Sequence, residues 1–245
     1  MGIDDPATVG TALDVGYRHL DTAQIYGNET VVGEGLAASP VDRDQVVVAT
    51  KLWTDGLAPD AVAGSARESR DRLGVDAIDL LYVHRPRGGY DPAGTLPAMA
   101  RLVDDGVVRH LGVSNFTLDQ LATAREHLGD VPIVAHQTEY HPLFQRPELV
   151  ADAREHGYTV VAYSPLAGGR VFDLPELTRI AGKHDTTEAT VSIAWLAGTE
   201  GVVTVPKASS RAHLEGNLAA GELELDDEDV AAIEGIEREE ELFPE

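Results

Sequence analysis

Short apolar segments alternate with longer segments of helical periodicity along almost the whole chain, and this alternation constrains the fold most. Two of the short runs, residues 46–48 and 159–162, contain almost no polar residue, as expected for strands buried on both faces of a parallel sheet. The pattern predicts strands at residues 17–21, 46–51, 79–84, 110–114, 133–139, 159–164 and 202–206. It predicts helices near residues 58–73, 93–104, 118–128, 147–155 and 189–196.

Seven strands spaced by about 30 residues, with no linker between them, favour an α/β protein whose fold is a (β/α)8 TIM barrel. We expect residues 1–245 to form one barrel domain. A doubly wound Rossmann sheet would require G-x-G-x-x-G after its first strand, and that spacing does not occur there. The chain begins at a helix start, with Asp4 and Asp5 before Pro6, and Gly16 ends that helix. Because a barrel needs eight strands, we expect the missing first strand to lie upstream of Met1.

The chain is strongly acidic, with 42 acidic and 19 basic residues and a formal net charge of −23. This charge repels phosphates and anionic lipid, so neither a nucleic acid nor a membrane is expected as a partner. The absence of cysteine excludes disulfides and thiolate chemistry. The N-terminus carries no secretory signal pattern, which predicts a cytoplasmic protein. A lysine-poor acidic surface further suggests a halophilic, salt-adapted protein.

Only three lysines occur in the chain, Lys51, Lys183 and Lys207, so each position raises the question of why arginine would not serve there. Lys51 ends an apolar strand and so carries an ammonium group to the edge of the predicted barrel. Active sites of such barrels lie at the carboxyl ends of the strands. Asp21 and His84 end two other predicted strands.

Tyr26 lies in the loop after the first predicted strand, and it can join these groups in a proton relay. Lys51 would stabilise the phenolate and lower its pKa, while Asp21 keeps the ammonium group charged. His84 would orient a substrate carbonyl. Taken alone, Asp21 could instead cap a helix and His84 could be an ordinary barrel histidine. The set as a whole suits protonation of a carbonyl oxygen while hydride reaches the carbon.

Seven segments of the chain resemble the aldo-keto reductases, in family order and at appropriate spacing. They are GYRHLDTAQIYGNE from Gly16, VVVATKLW from Val46, DLLYVHRP from Asp79, LGVSNF from Leu111, HQTEYHPL from His136, VVAYSPLAGG from Val160 and VPKASS from Val205. The resemblance implies a (β/α)8 barrel that reduces aldehydes and ketones, and specifically the prokaryotic diketogluconate and methylglyoxal reductases. It also implies that the N-terminal hairpin and first strand of the family are missing from this chain.

The resemblance assigns roles by position. Tyr26 becomes the general acid, tuned by Lys51 and Asp21, and His84 orients the carbonyl beside Trp53, a wall of the substrate pocket. The implied cofactor-binding residues follow in the same way. Ser114, Asn115 and Gln137 match positions that bind the nicotinamide carboxamide, and Tyr163 matches the ring on the nicotinamide face. Ser164, Leu166 and Gly168 match the pyrophosphate loop. Lys207 matches the cation at the adenosine 2′-phosphate, with Ser209 and Arg211 nearby, and Asn217 matches the residue at the adenine. The cofactor expected is NADP(H). NAD(H) stays open as the alternative, because Ala208, His213 and Gly216 depart from the family pattern near the adenosine phosphate.

The expected partner is a small carbonyl compound, either a keto-aldehyde or a keto-sugar acid, and the family default is a monomer. The sequence also bears on two alternative functions. A metal-dependent hydrolase on the same barrel would show H-x-H on its first strand, and no two of the nine histidines have that spacing. The second alternative is a barrel that binds cofactor with little or no turnover, which the missing strand would favour. The four filled catalytic positions favour an enzyme.

Overall fold

The computed structural model describes residues 2–244, which alternate between strands and helices. The strands are β1 His19–Asp21, β2 Val47–Leu52, β3 Ile78–Val83, β4 Val108–Ser114, β5 Ile133–Glu139, β6 Thr159–Tyr163 and β7 Val202–Thr204. The α-helices are α1 Pro6–Val15, α2 Glu29–Ala37, α3 Val62–Leu73, α4 Pro92–Asp104, α5 Leu118–Leu128, α6 Pro147–His156, α7 Pro175–Lys183, α8 Glu188–Gly198, α9 Arg211–Ala219 and α10 Asp227–Glu234. Within residues 2–244, the helices fall short of the length and apolarity that a bilayer crossing requires.

The chain divides into two compact units, Met1–His136 and Gln137–Glu245. In the first unit β1, β2, β3 and β4 lie side by side in chain order and all pair in parallel. In the second unit β6 pairs in parallel with β7. Every residue of β3 is buried, and so is every residue of β2 after Val47. These strands are therefore covered on both faces, as the apolar runs predicted.

Every predicted strand is present, and the differences lie at the ends. β4 begins at Val108 and not at residue 110, because Val108 pairs with Ile78 of β3. The sequence did not indicate this start, since Arg109 and His110 are polar and exposed. Helix α3 begins at Val62 and not at residue 58. Ala58 is held in an extended conformation, as expected for a residue that precedes a proline.

Four helices were not predicted from the sequence: α2, α7, α9 and α10. Helix α2 shows why, because it contains two glycines that lower its apparent helix propensity. A Cβ atom at Gly33 would lie 2.4 Å from the carbonyl oxygen of Leu73, and one at Gly35 would lie 2.5 Å from Cβ of Val9. The glycines thus permit close packing of α2 against α3 and α1, and a propensity argument does not register this packing.

Candidate active site

In the first unit, three polar side chains lie at the carboxyl ends of neighbouring parallel strands. Asp21 is the last residue of β1, Lys51 is the last but one of β2, and His84 directly follows β3. The amide of His84 donates to the carbonyl of Leu52 at 3.1 Å and extends the pairing of β2 with β3 to this point. Because parallel strands end at the same edge of a sheet, the three side chains reach one region.

Lys51 is fully buried, and its ammonium group has two fixed acceptors. Nζ donates to Oδ1 of Asp21 at 2.5 Å and to the carbonyl of Thr22 at 2.7 Å. Burial lowers the pKa of Lys51, while the charge of Asp21 and its hydrogen bond to Nζ oppose that shift. Asp21 therefore serves to keep a desolvated amine charged and fixed in position.

Tyr26 lies beside this ion pair, at the end of the short 3-10 helix Gln24–Tyr26 that follows β1. Nζ of Lys51 is 5.4 Å from the centroid of the tyrosine ring. Burial raises the pKa of Tyr26 to about 12; the charge of Asp21 adds to the rise and Arg85 opposes it. The net shift is therefore opposite to the lowered pKa that the sequence analysis predicted for Tyr26. Desolvation of the phenolate outweighs the attraction of nearby cations.

His84 lies between two aromatic rings. Its ring centroid is 5.8 Å from that of Tyr26 and 5.0 Å from that of Trp53, both in edge-on geometry. Burial lowers the pKa of His84 to about 3, and the charges of Lys51 and Arg85 add to this shift. The imidazole is consequently neutral near pH 7. It can donate a hydrogen bond to a carbonyl oxygen, but it carries no ionisable proton to transfer.

Trp53 is positioned by Gln24, a residue that the sequence analysis did not identify. The amide nitrogen of Trp53 donates to Oε1 of Gln24 at 2.8 Å. Nε2 of Gln24 in turn donates to the hydroxyls of Ser65 and Ser69 on α3, at 2.8 and 2.9 Å. The sequence offered one indication of this residue, because Gln24 lies two residues before Tyr26 in the GYRHLDTAQIYGNE segment.

Trp53 also forms part of the wall of an open cleft of about 590 Å³. The polar and charged residues that line the cleft are Gln24, Asp55, Asp60, Ser65, Glu68 and Arg72. Three of these carry carboxylates and one carries a guanidinium group. The guanidinium group of Arg72 is already paired, because Nε donates to buried Glu29 at 2.7 Å. The cleft therefore presents net negative charge.

Two of the predicted nicotinamide-binding residues lie next to His84 in the first unit. Ser114 ends β4 and is almost fully buried, and Asn115 follows it in a left-handed conformation at φ 61°. Nδ2 of Asn115 donates to the carbonyl of His84 and to Oγ of Ser114, both at 3.1 Å. A hydroxyl and an amide at the end of a strand offer the donors and acceptors that a carboxamide requires.

In the second unit Gln137 is buried in β5, and Tyr163 ends β6 with its side chain half-buried. The segment after Tyr163 contains Ser164, Leu166 and Gly168, which were predicted to bind pyrophosphate. Its backbone is unusual, because Ser164 and Ala167 adopt φ 55° and φ 49°, and Gly168 and Gly169 are also left-handed. Left-handed residues turn backbone amides into concave anion-binding surfaces, so this segment suits a pyrophosphate.

The remaining predicted cofactor residues lie at the start of α9 in the second unit. Lys207 and Ser209 precede the helix, Arg211 is its first residue, and Asn217 lies two turns further on. The helix is capped by Ser210, whose hydroxyl accepts from the amide of His213 at 3.3 Å. The cationic side chains of Lys207 and Arg211 therefore lie near the helix N-terminus, whose dipole also favours negative charge. Such an arrangement is suited to binding a phosphate group.

Each unit thus carries side chains whose chemistry suits part of a phosphorylated dinucleotide and differs from that of a metal centre. The described residues include polar partners for a carboxamide, an aromatic ring for the nicotinamide face, a loop with left-handed backbone and a helix start with two cations. Across the described part of the chain, histidine, aspartate and glutamate side chains do not gather in threes in an arrangement suited to a metal ion.

Comparison with known proteins places these features in a family. The family model described as "Aldo/keto reductase family" matches residues 4–238. The chain is 38% identical to methylglyoxal reductase DkgB of Escherichia coli O157:H7 over 94% of this chain and 87% of the relative. It is 38% identical to an aldo-keto reductase of Mycobacterium sp. (strain KMS) over 96% of this chain and 84% of the relative. The crystal structure of MGS-M4, an aldo-keto reductase from a Medee basin deep-sea metagenome library, superposes with a TM-score of 0.92 at 31% identity, covering 98% of this chain and 88% of that one.

Proposed function

The chain belongs to the aldo/keto reductase family, and from this membership we propose that Tyr26 is the proton donor of the carbonyl reduction. The family membership itself makes the protein an NAD(P)H-dependent oxidoreductase of carbonyl compounds with a (β/α)8 fold. The alternative of a cofactor-binding barrel without turnover has no support among these reductase relatives. The observation that carries the proposal is the approach of the buried Lys51 ammonium to within 5.4 Å of the Tyr26 ring.

Tyr26 suits this role because a pKa near 12 keeps its hydroxyl protonated throughout the physiological range. When bound, NADP(H) supplies hydride to the carbonyl carbon. The carbonyl oxygen then becomes an alkoxide-like base, and the O–H bond of Tyr26 breaks to give it the proton. Lys51 stabilises the phenolate that remains, and the 2.5 Å contact with Asp21 holds the ammonium group in place.

His84 acts in this proposal as a hydrogen-bond donor to the carbonyl oxygen, and not as an acid. A pKa of about 3 leaves the ring neutral, so it can fix the orientation of the substrate without competing with Tyr26 for proton transfer. The edge-on contacts with Tyr26 and Trp53 restrict the plane of the imidazole. A fixed donor contributes more to transition-state stabilisation than a mobile one, because no reorganisation is needed during the reaction.

For the cofactor we assign Ser114, Asn115 and Gln137 to the carboxamide of the nicotinamide, and the Tyr163 ring to its face. Ser164, Leu166 and Gly168 belong to the segment assigned to the pyrophosphate. Lys207, Ser209 and Arg211 are assigned to an adenosine 2′-phosphate, with Asn217 at the adenine. The two cations at the start of α9 support NADP(H) over NAD(H), since NAD(H) has no 2′-phosphate for them to bind.

The proposed substrate class is small, uncharged keto-aldehydes. The cleft that Trp53 helps to line carries Asp55, Asp60 and Glu68, and Tyr26, Lys51 and His84 are not among its lining residues. Its carboxylates disfavour the approach of an anionic keto-sugar acid past Trp53. The Escherichia coli relative is a methylglyoxal reductase by name, and this supports the same class. We further propose a monomer that works in a salt-rich cytoplasm, on the basis of the net charge of −23.

Tyr26→Phe tests the assigned proton donor, because it removes the hydroxyl and keeps the ring beside His84. We expect kcat for methylglyoxal reduction, followed by NADPH absorbance, to fall by about 10²- to 10⁴-fold. NADPH binding, measured by calorimetry, should stay within about twofold of wild type. Tyr17→Phe makes the same chemical change on a tyrosine of the first unit outside the site and serves as the control. A Tyr26→Phe enzyme with most of its rate would refute the assignment.

Lys207→Ala tests the assigned 2′-phosphate contact. The dissociation constant for NADPH should rise by about 10-fold, since a charge-assisted hydrogen bond is lost, while that for NADH should stay nearly unchanged. Arg179→Ala removes a cation on α7, which pairs with Glu228, and provides the control. Equal weakening of both cofactors by Lys207→Ala would contradict the assignment.

A further inference from the structure

The polypeptide after α10 forms no regular element, yet it is held by a buried carboxylate of the second unit. Glu139, the last residue of β5, is only 2% exposed. Its Oε1 accepts from the amide of Leu242 at 2.7 Å, and its Oε2 accepts from the amide of Phe243 at 3.0 Å. The ring of His141, itself fully buried, lies with Nε2 2.8 Å from the same Oε1. Glu139 thus binds two consecutive peptide N–H groups of residues 240–244, here called the tail.

Glu240 attaches the tail at two further points. Its amide donates to the carbonyl of Leu143 at 2.7 Å. Its side chain forms an ion pair with Arg170, which lies in the 3-10 segment Ala167–Asp173. This segment overlaps the loop assigned above to the pyrophosphate. The tail is therefore connected both to β5 and to the loop that follows β6.

These attachments place one aromatic ring of the tail against a residue of the proposed cofactor site. The Phe243 ring meets the Tyr163 ring in edge-on geometry, with the centroids 5.9 Å apart. Edge-on pairs are favourable because the positive edge of one ring meets the negative face of the other. Phe243 consequently restricts the tilt of the ring that we assign to the nicotinamide face.

We propose that Glu139 is a positioning residue: it holds the tail so that Phe243 supports Tyr163, and it thereby sets the affinity of the protein for its cofactor. A buried carboxylate is costly unless each oxygen has donors, and here the tail supplies two of the three. Glu139 binds the backbone amide of Phe243 itself, so the contact fixes the position of that residue relative to β5. This inference rests on the proposed role of Tyr163 in cofactor binding.

Glu139→Gln is the direct test, because it preserves size and replaces one acceptor oxygen with an NH2 group that cannot accept from the tail amides. We expect the dissociation constant for NADPH, measured by calorimetry on the full chain, to rise by about 3- to 10-fold, as for loss of an aromatic pair. The KM for NADPH should rise in parallel, with kcat within about twofold of wild type. Glu241→Gln makes the same change on an exposed tail residue and should leave the affinity unchanged.

Substitution of Phe243 provides a second route that leaves Glu139 intact. Phe243→Ala should weaken NADPH binding as much as Glu139→Gln, and Phe243→Tyr should restore it, because the ring and its edge are kept. If Glu139 acts through Phe243, Glu139→Gln should raise the NADPH dissociation constant by less than about twofold when it is made in a Phe243→Ala background. Full additivity of the two effects would overturn the proposal.

The outcomes also separate this inference from the proposed function. A wild-type chain that fails to bind NADPH would overturn the cofactor assignment and the role of Glu139 with it. Normal binding by wild type and equal binding by Glu139→Gln would overturn the role of Glu139 alone.

Discussion

Lys51 is the residue whose chemistry is most tightly constrained by its surroundings. Its ammonium group is fully buried, yet two oxygens at 2.5 and 2.7 Å satisfy two of its three N–H donors. A compact ammonium group fits between Asp21 and the carbonyl of Thr22, whereas a guanidinium group is planar and larger. In a chain with only three lysines, this geometry explains why arginine would not serve at position 51.

Lys51→Arg should therefore inactivate the enzyme although the charge is preserved. We expect kcat to fall by about 10²-fold or more, because the cation can no longer stabilise the Tyr26 phenolate from the same position. Lys183→Arg is the matched control, since Lys183 pairs with Asp226 and Asp229 away from the proposed site. A Lys51→Arg variant with near-normal kcat would show that charge alone suffices.

His84 predicts a specific dependence of stability on pH. Its pKa is about 3 in the folded chain and about 6.5 when unfolded, so between these values the unfolded chain binds one more proton. The free energy of unfolding should then decrease as pH falls below 6.5, by up to about 1.4 kcal/mol per pH unit from this residue. Urea unfolding of wild type and His84→Asn at several pH values measures the difference. Parallel pH profiles for the two proteins would contradict the depressed pKa.

Among the secondary-structure elements, β2, β3 and β4 contribute one row of residues paired in register, and this row includes Lys51 of the proposed site. Lys51 of β2 pairs in register with Tyr82 of β3, and Tyr82 pairs with Gly112 of β4. The Tyr82 ring is fully buried, and Nζ of Lys51 lies 5.8 Å from its centroid. The small residue at 112 leaves the space that the ring occupies. Strand register thus connects Gly112 to the position of the Lys51 amine.

Gly112→Ala should test this row. A Cβ atom there would lie 2.6 Å from Cδ1 of Tyr82 and 2.9 Å from the carbonyl oxygen of Ala135, so the ring or the backbone must shift. We expect a loss of about 1–3 kcal/mol in unfolding free energy, together with reduced kcat. Gly10→Ala in α1, where a Cβ meets nothing within 4 Å, should instead stabilise by about 0.5–1 kcal/mol. Equal behaviour of the two variants would refute the steric argument.

The elements whose bounds were predicted correctly carry a clear local signal, either an apolar run or a capping motif. β5 and α5 have the predicted bounds, because β5 is almost entirely buried and α5 is delimited by a capping box at Thr117 and Gln120 and by Gly129. Helix α2 was missed because its glycines serve tertiary packing, which a local propensity argument does not include. The placement of Asp21, Lys51 and His84 at strand ends could be predicted because strand ends are visible in the pattern, while their catalytic roles stay a prediction.

The electrostatics of the site could not be predicted in the same way. A pKa depends on how much solvent the surrounding chain removes, and no local pattern reports this. The nearby amine suggested an acidic Tyr26, whereas burial makes it a weaker acid. The position of Gln24 against Ser65 and Ser69 on α3 likewise depends on contacts across 41 and 45 residues of sequence.

For the molecule as a whole, the net charge of −23 predicts that salt stabilises the folded state. Folding brings like charges together, and added salt shortens the range of their repulsion from about 10 Å at 0.1 M to about 3 Å at 1 M. The Tm should therefore rise steeply with potassium chloride. An uncharged osmolyte at equal concentration should give a smaller rise. A Tm independent of salt would contradict the proposed halophilic adaptation.

The anchoring of the tail through peptide N–H groups has a consequence for how this enzyme could diversify. Glu139 accepts from the backbone of Leu242 and Phe243, so the anchor is indifferent to which side chains those two positions carry. New side chains could be introduced there without dismantling the attachment. Libraries randomised at these two codons, with Glu139 kept, would therefore change the contact with Tyr163, and with it the affinity for the cofactor, while the tail stays attached.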